Sequence, residues 1–194
     1  LVPVEDVAAS KALERAFRKR GITVRTAAML SAARVTDAGV TVDLGDSESL
    51  NADILLVAVG RGPRTSGLGL EEAGIRLDRG FVEVDDALQT TVAGVYAVGD
   101  IVPGPQLAHR GFANGIFVAE QLAGLDCVPV ADSGIPRVTY SHPEVASIGL
   151  TEAEAVERHG DVTTAIYDLG GNGKSRILQT SGGVKLVRAG SDGP

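Results

Sequence analysis

The fold of this chain follows from two neighbouring stretches, TVAGVYAVGD (residues 91–100) and GPQLAH (residues 104–109). An apolar run ends at Gly99, where the missing side chain lets backbone approach a ligand, and Asp100 places a carboxylate directly after it. A Gly/Pro loop then leads into a helix whose first N–H groups have no partner within the helix. This order predicts a site that binds a polyol through the carboxylate and an electron-rich ring through the helix start.

Apolar periodicity and capping residues predict the other elements. Helices are expected over Val7–Arg20, with Asp6 as its cap, over Ala108–Ala123, and from Thr151, where Glu154 completes a capping box. Continuous apolar runs at 54–59 and 95–98 predict strands that are buried on both faces. Further strands are expected at 22–25, 30–35, 40–44, 81–84, 137–140, 145–148, 163–167 and 184–188. The glycine-rich segment 170–174 predicts a flexible connection, and a turn is expected over 189–194.

Composition excludes several classes of protein. The 194 residues have a formal net charge of −7, which argues against nucleic-acid and anionic-membrane partners. No apolar run approaches the roughly 20 residues that span a bilayer. Cys127 is the only cysteine, so no internal disulfide can form, which fits a reducing cytoplasm. No spacing of His, Cys or carboxylates predicts a metal site.

The two opening stretches resemble the second flavin-binding motif of the pyridine nucleotide–disulfide oxidoreductases. The resemblance implies FAD as cofactor, with its ribityl chain held by Asp100. It also implies that the flavin ring lies, near its N1/C2 carbonyl edge, along four residues: Gln106, Leu107, Ala108 and His109. The helix dipole, worth about 0.3–1 kcal/mol or somewhat more when partly buried, would favour negative charge on the reduced flavin.

Two further segments are similar to the same family. Residues 60–63 (GRGP) match its Gly-Arg-x-Pro segment, which implies that Gly60 lets backbone approach NAD and that Leu30 also lines the NAD site. Residues 140–149 (YSHPEVASIG) resemble the opening of the interface domain, near the dimer contact. The His142 and Glu144 of this run do not correspond to the family's catalytic pair.

The resemblance runs from the helix at Val7 to the strand at Val187 and implies an α/β fold in three parts. Residues 1–63 would be the C-terminal part of an NAD-binding domain, 64–132 a central FAD-binding segment with parallel strands, and 133–194 the first part of an α+β interface (dimerisation) domain of a homodimer. The first flavin fingerprint, the redox dithiol, the nicotinamide Gly-x-Gly-x-x-Gly and the late His/Glu pair are missing. We therefore expect a fragment without catalytic residues of its own.

Three functions are compatible with these residues. The Leu-Ala-His at 107–109 favours the branch that oxidises dihydrolipoamide with NAD and serves the lipoyl domain of a 2-oxo acid dehydrogenase complex. A second possibility is another thiol–disulfide reductase of the glutathione or mycothiol type, although glutathione reductases generally have Leu-Thr-Pro there. The third is a non-catalytic flavin-binding or dimerisation module.

Overall fold

The computed structural model describes residues 1–45 and 48–190, which fall into two compact units. The first unit consists of Leu1 and Lys11–Arg61, and the second of Val2–Ser10 and the residues from Gly62 onward. Helix α1 (Val7–Lys19) begins in the second unit and continues in the first. This helix and its cap confirm the prediction, since Asp6 Oδ1 accepts a 2.8 Å hydrogen bond from the Ala8 N–H.

A three-stranded antiparallel sheet belongs to the first unit, with β2 between β1 and β3. The central strand buries Val40 and Val42. Its first residue, Gly39, has φ +131°, and a Cβ there would overlap the Ala52 carbonyl oxygen, so only glycine fits. The strands are β1 (Leu30–Thr36), β2 (Gly39–Leu44) and β3 (Glu48–Ala52). The first two were predicted; β3 was not, because its residues are mostly polar and all exposed.

Two strands predicted in the first unit are wrong. Residues 22–25 and 54–59 belong to no strand, and Leu56 and Val59 are 84% and 92% exposed. A strand that is buried on both faces needs a neighbour on each side. No strand of the described residues pairs with either run, so their apolar composition does not lead to a sheet.

The core of the second unit lies between a short hairpin and the segment 97–102. Hairpin strands β4 (Leu77–Asp78) and β5 (Phe81–Val82) pair antiparallel. Val82 and Val102 are almost completely buried, at 1% and 0% exposure, and form one cluster with Ile75 and Ala97. Five partly buried residues pack against this cluster: Leu70, Leu77, Val84, Val92 and Ile101.

The strand predicted at 95–98 is also wrong. Its only pairing is an isolated antiparallel bridge from Tyr96 to Gln89, and within the run only Ala97 is buried. All strand ladders among the described residues are antiparallel, so the parallel strands expected between 64 and 132 are not there. The extended segment predicted at 81–84 is confirmed by β5 and by the bridge from Val84 to Thr90.

The remaining elements of the second unit confirm most of the sequence analysis. The capping box is present, because Thr151 Oγ1 accepts from the Glu154 N–H and Glu154 accepts from the Thr151 N–H. Helix α4 (Gly173–Leu178) was missed; it lies in the segment predicted as a flexible connection and is capped by Asn172. Six elements observed in the structure confirm predictions from the sequence: α2 (Ala108–Leu122), β6 (Arg137–Thr139), β7 (Val145–Ser147), α3 (Glu152–His159), β8 (Val162–Asp168) and β9 (Gly183–Ala189). Of the turn predicted over 189–194, residues 191–194 lie outside the described residues.

Candidate functional site

Asp100 lies in a 3₁₀ turn, Gly99–Ile101, that is anchored in the core of the second unit. Ala97 before the turn and Val102 after it are both buried in the apolar cluster, and the Val102 N–H donates to the Gly99 carbonyl at 3.3 Å. Gly99 has φ +84°, a conformation that favours glycine. Asp100 itself is exposed, so a well-packed turn presents its carboxylate to solvent.

The first turns of α2 pack directly against the Asp100 turn. A Cβ added to Gly111 would lie 3.3 Å from Gly99 Cα, which shows how closely the two backbones approach. From the intervening loop, Gln106 Nε2 donates a 3.3 Å hydrogen bond to the Asp100 carbonyl oxygen. The structure therefore brings the Asp100 turn and the helix start together.

The N-terminus of α2 has no side-chain cap. The N-cap residue is Leu107, whose side chain makes no capping hydrogen bond, and the first turn contains no acidic residue. Ala108 and His109 follow it and are exposed. The positive end of the helix dipole is thus open to an electron-rich group, while Asp100 beside it can accept from a hydroxyl. This donor and acceptor set fits the ribityl chain and ring edge of FAD.

The side chain of His109 is held by the segment that follows α2. Its Nε2 lies 2.7 Å from the Pro136 carbonyl oxygen, a distance at which a protonated Nε2 donates a hydrogen bond. The ring therefore ties the first turn of α2 to the segment before β6. The backbone of the same residue remains part of the uncapped helix start.

The two residues assigned to NAD lie in the first unit. Leu30 opens β1 and is 50% exposed. Gly60 is exposed, has φ +129°, and has no atom within 4 Å of the place a Cβ would take. Backbone at Gly60 is therefore open to close approach.

The sequence analysis missed the importance of Arg110, which directly follows His109. It is only 6% exposed and shares the buried face of α2 with Asn114 and Phe117. The three residues recur at i, i+4 and i+7, but only Phe117 is apolar, so no hydrophobic pattern in the sequence marks this face. The sequence analysis assigned no role to Arg110, and the structure buries it.

Two negative findings apply to residues 1–45 and 48–190. No group of three or more His, Cys, Asp or Glu side chains there is arranged to hold a metal ion. No helix in these ranges is both long and apolar enough to span a membrane. The thiol of Cys127 contacts the Phe117 carbonyl oxygen at 3.9 Å.

Comparison with known proteins identifies the family. A family profile described as pyridine nucleotide-disulphide oxidoreductase matches residues 1–115, and the profile of its dimerisation domain matches residues 135–194. The chain belongs to this family. The resemblance to this family that residues 91–100 and 104–109 indicated is thereby confirmed. The family uses FAD and NAD.

Curated relatives are dihydrolipoyl dehydrogenases. The enzyme of Chlorobaculum tepidum is 38% identical over 192 residues, which cover 96% of this chain and 41% of the relative. That of Bacillus subtilis is 39% identical over 190 residues, which cover 95% of this chain and 40% of the relative. The chain thus spans about 40% of the length of these relatives.

Solved structures in the same family share the fold. LpdA from Mycobacterium tuberculosis matches with a TM-score of 0.87 and 29% identity over 97% of this chain and 42% of its own. The HOCl-induced flavoprotein disulfide reductase RclA from Escherichia coli matches with a TM-score of 0.85 and 25% identity over 97% of this chain and 44% of its own. The mixed α/β fold class is therefore confirmed.

Proposed function

We propose that this chain forms part of a dihydrolipoyl dehydrogenase and supplies one wall of its FAD site together with part of its NAD site. The observation that carries the proposal is the packing of the Asp100 turn against the uncapped start of α2, where a Cβ added to Gly111 would lie 3.3 Å from Gly99 Cα. The relatives at 38–39% identity support the choice of substrate.

The chain's residues bind and orient the flavin in this proposal. Asp100 would hold the ribityl chain by accepting a hydrogen bond from a hydroxyl, and the N–H groups of Ala108 and His109 would hold the flavin ring. Gln106 and Leu107, both half-buried, line the ring beside them. FAD, when bound, supplies the two-electron relay between a dithiol and a nicotinamide.

The overall reaction balances without any oxidant beyond the nucleotide. Dihydrolipoamide loses two S–H bonds and forms one S–S bond; NAD takes a hydride, and the second proton goes to solvent. Cys127 is the only cysteine of the chain, so the redox dithiol is not among its residues. We assign no catalytic residue to the chain, only cofactor-binding residues.

The NAD site in this proposal includes Gly60 and Leu30 of the first unit. The exposed, open backbone at Gly60 supports this assignment, since a nucleotide could lie directly against it. We keep the division proposed from the sequence, with an NAD-binding part at 1–63, an FAD-binding part at 64–132 and an interface part at 133–194.

The interface part supports a homodimer. It matches the dimerisation-domain profile and exposes several large apolar side chains, a feature of surfaces that bind other proteins. These side chains are Tyr140, Ile166, Tyr167, Ile177 and Leu186, with exposures between 61% and 85%. The other proposed partner is the lipoyl domain of a 2-oxo acid dehydrogenase complex, and the proposed location is the cytoplasm.

The test compares two substrate pairs on the whole protein that contains this chain. Turnover of dihydrolipoamide with NAD supports the proposal. Turnover of a glutathione- or mycothiol-type disulfide with NADPH, without turnover of dihydrolipoamide, would replace it with a different reductase. The chain expressed alone should show no flavin absorbance near 450 nm; a yellow, monodisperse chain would instead support a stand-alone flavin module.

A further inference from the structure

Arg110 is a buried cation next to the proposed flavin site. Its side chain is 8% exposed, and a desolvated charge of this kind persists only where hydrogen bonds compensate it. Nε–H donates to Asp132 Oδ1 at 2.6 Å, and Nη2–H donates to the Pro103 carbonyl oxygen at 2.7 Å. The guanidinium thus joins the start of α2 to two other segments.

The loop before α2 passes directly over this guanidinium at Gly104. A Cβ there would overlap Arg110 Nη2 and lie 2.6 Å from its Cζ and 2.8 Å from Asp132 Oδ2. The backbone also has φ +122°, which disfavours any side chain. A residue larger than glycine would therefore have to displace the side chains of Arg110 and Asp132, so the loop and the ion pair are packed directly against each other.

This loop connects the two halves of the proposed site. Pro103 and Gly104 follow the Asp100 turn, and Gln106–His109 come next along the chain. Arg110 lies in the first turn of α2, where the loop ends, and donates a hydrogen bond to Pro103, where the loop begins. It therefore joins the two ends of the loop. The bond from Arg110 to Asp132 and the bond from His109 to Pro136 attach this helical turn to residues 132–136, where the match to the dimerisation domain begins.

We propose that Arg110 is a positioning residue for the flavin. Through Pro103 and Asp132 it fixes the distance between the Asp100 carboxylate and the N–H groups at the start of α2, without touching the cofactor itself. The inference rests on the proposed FAD site. Loss of the guanidinium releases the loop, so the helix end no longer faces the ring edge at a fixed distance.

The test uses the whole protein with Arg110→Met, Arg110→Lys and Asp132→Asn, and with Arg79→Gln at an 88% exposed side chain as the control. We expect Arg110→Met to weaken FAD binding about 10- to 100-fold, the effect of losing a hydrogen bond from a charged group. Arg110→Lys should recover part of this, since lysine keeps the charge but not the planar fork. The control should bind FAD like wild type.

Two spectroscopic readouts separate positioning from mere loss of stability. In the flavin-bound fraction of Arg110→Met we expect a shifted absorbance maximum and a more negative midpoint potential, because the helix dipole then stabilises the reduced flavin less. A variant that melts earlier but keeps both values at wild-type levels would overturn the inference. So would unchanged FAD affinity in Arg110→Met and Arg110→Lys.

A double-mutant cycle tests the contact with Gly104. Gly104→Ala should weaken FAD binding strongly in wild type and less in the Arg110→Met background, where the overlapping guanidinium is gone. Strictly additive effects would contradict the proposed contact. If the wild-type protein binds no FAD, both the proposed function and this inference fail. If the wild-type protein binds FAD and the Arg110 variants bind it equally well, only this inference fails.

Discussion

Lys185 Nζ lies 2.8 Å from both carboxylate oxygens of Asp6, although 179 positions separate the two residues. The same ammonium lies 2.5 Å from Glu152 Oε2, and the Glu152 N–H donates to Asp6 Oδ2 at 3.1 Å. Asp6 therefore caps α1 and also accepts from the first residue of α3. One carboxylate thus joins the beginning of the second unit to strand β9 and to the start of helix α3.

This network should make stability depend on acid pH. Partial burial acts to raise the pKa of Asp6, but hydrogen bonds from Lys185, Ala8 and Glu152 outweigh it and hold the pKa below its usual value. A lowered folded-state pKa stabilises the fold above the unfolded-state pKa, near 3.9, and this stabilisation is lost as the pH falls through the folded-state pKa. We expect Asp6→Asn to lower the melting temperature at pH 7, with a difference from wild type that shrinks below about pH 4.

Circular-dichroism melts of the chain between pH 7 and pH 3 provide the measurement. Asp86→Asn is the matched control, because Asp86 is an exposed carboxylate in the same unit. A difference between Asp6→Asn and wild type that stays constant over this range would show that the charge of Asp6 does not stabilise the fold.

The capping box of α3 should contribute measurably to stability. Hydrogen bonds from the backbone and side chain of Thr151 lower the pKa of Glu154, which marks a well-formed box. Thr151→Ala should cost about 0.5–2 kcal/mol in the free energy of unfolding, measured by urea titration. Thr151→Ser keeps the accepting hydroxyl and serves as the control; equal losses for both variants would rule out the cap as the cause.

The core beneath the Asp100 turn should be sensitive to truncation. Val102 is 0% exposed, and Val102→Ala removes two methyl groups from a closed cluster, at a cost of about 2 kcal/mol. Val128→Ala, at an 83% exposed position, should change the free energy of unfolding by no more than about 0.5 kcal/mol. Similar effects for the two valines would mean that the cluster does not support the turn.

Features that depend on residues close together in the sequence could be predicted, whereas the pairing of strands that are distant in the sequence could not. The capping box at Thr151 and Glu154 depends on residues three positions apart, so it could be predicted. The nearness of Asp100 to the start of α2 followed from a loop of a few residues. The run at 54–59 was misassigned because burial of a strand depends on neighbours that no local pattern specifies. Among residues 1–45 and 48–190, no strand pairs with this run.

The contacts of Arg110 were not predicted, because they too join residues that are brought together only by the fold. Arg110 acquires its role from Asp132, 22 positions later, and from a glycine that only the folded loop brings against it. Neither contact leaves a periodic pattern. The residues proposed to bind the flavin could therefore be named from the sequence, whereas the one proposed to position them could not.

The most direct test of the account measures FAD affinity in the whole protein with Asp100→Ala, beside Asp86→Ala as an exposed control. The account expects Asp100→Ala to weaken FAD binding by about 1.5–3 kcal/mol, the value of a hydrogen bond to a charged group, and Asp86→Ala to leave it unchanged. FAD affinity in Asp100→Ala equal to that of wild type would remove the carboxylate from the site and contradict the proposed flavin-binding wall.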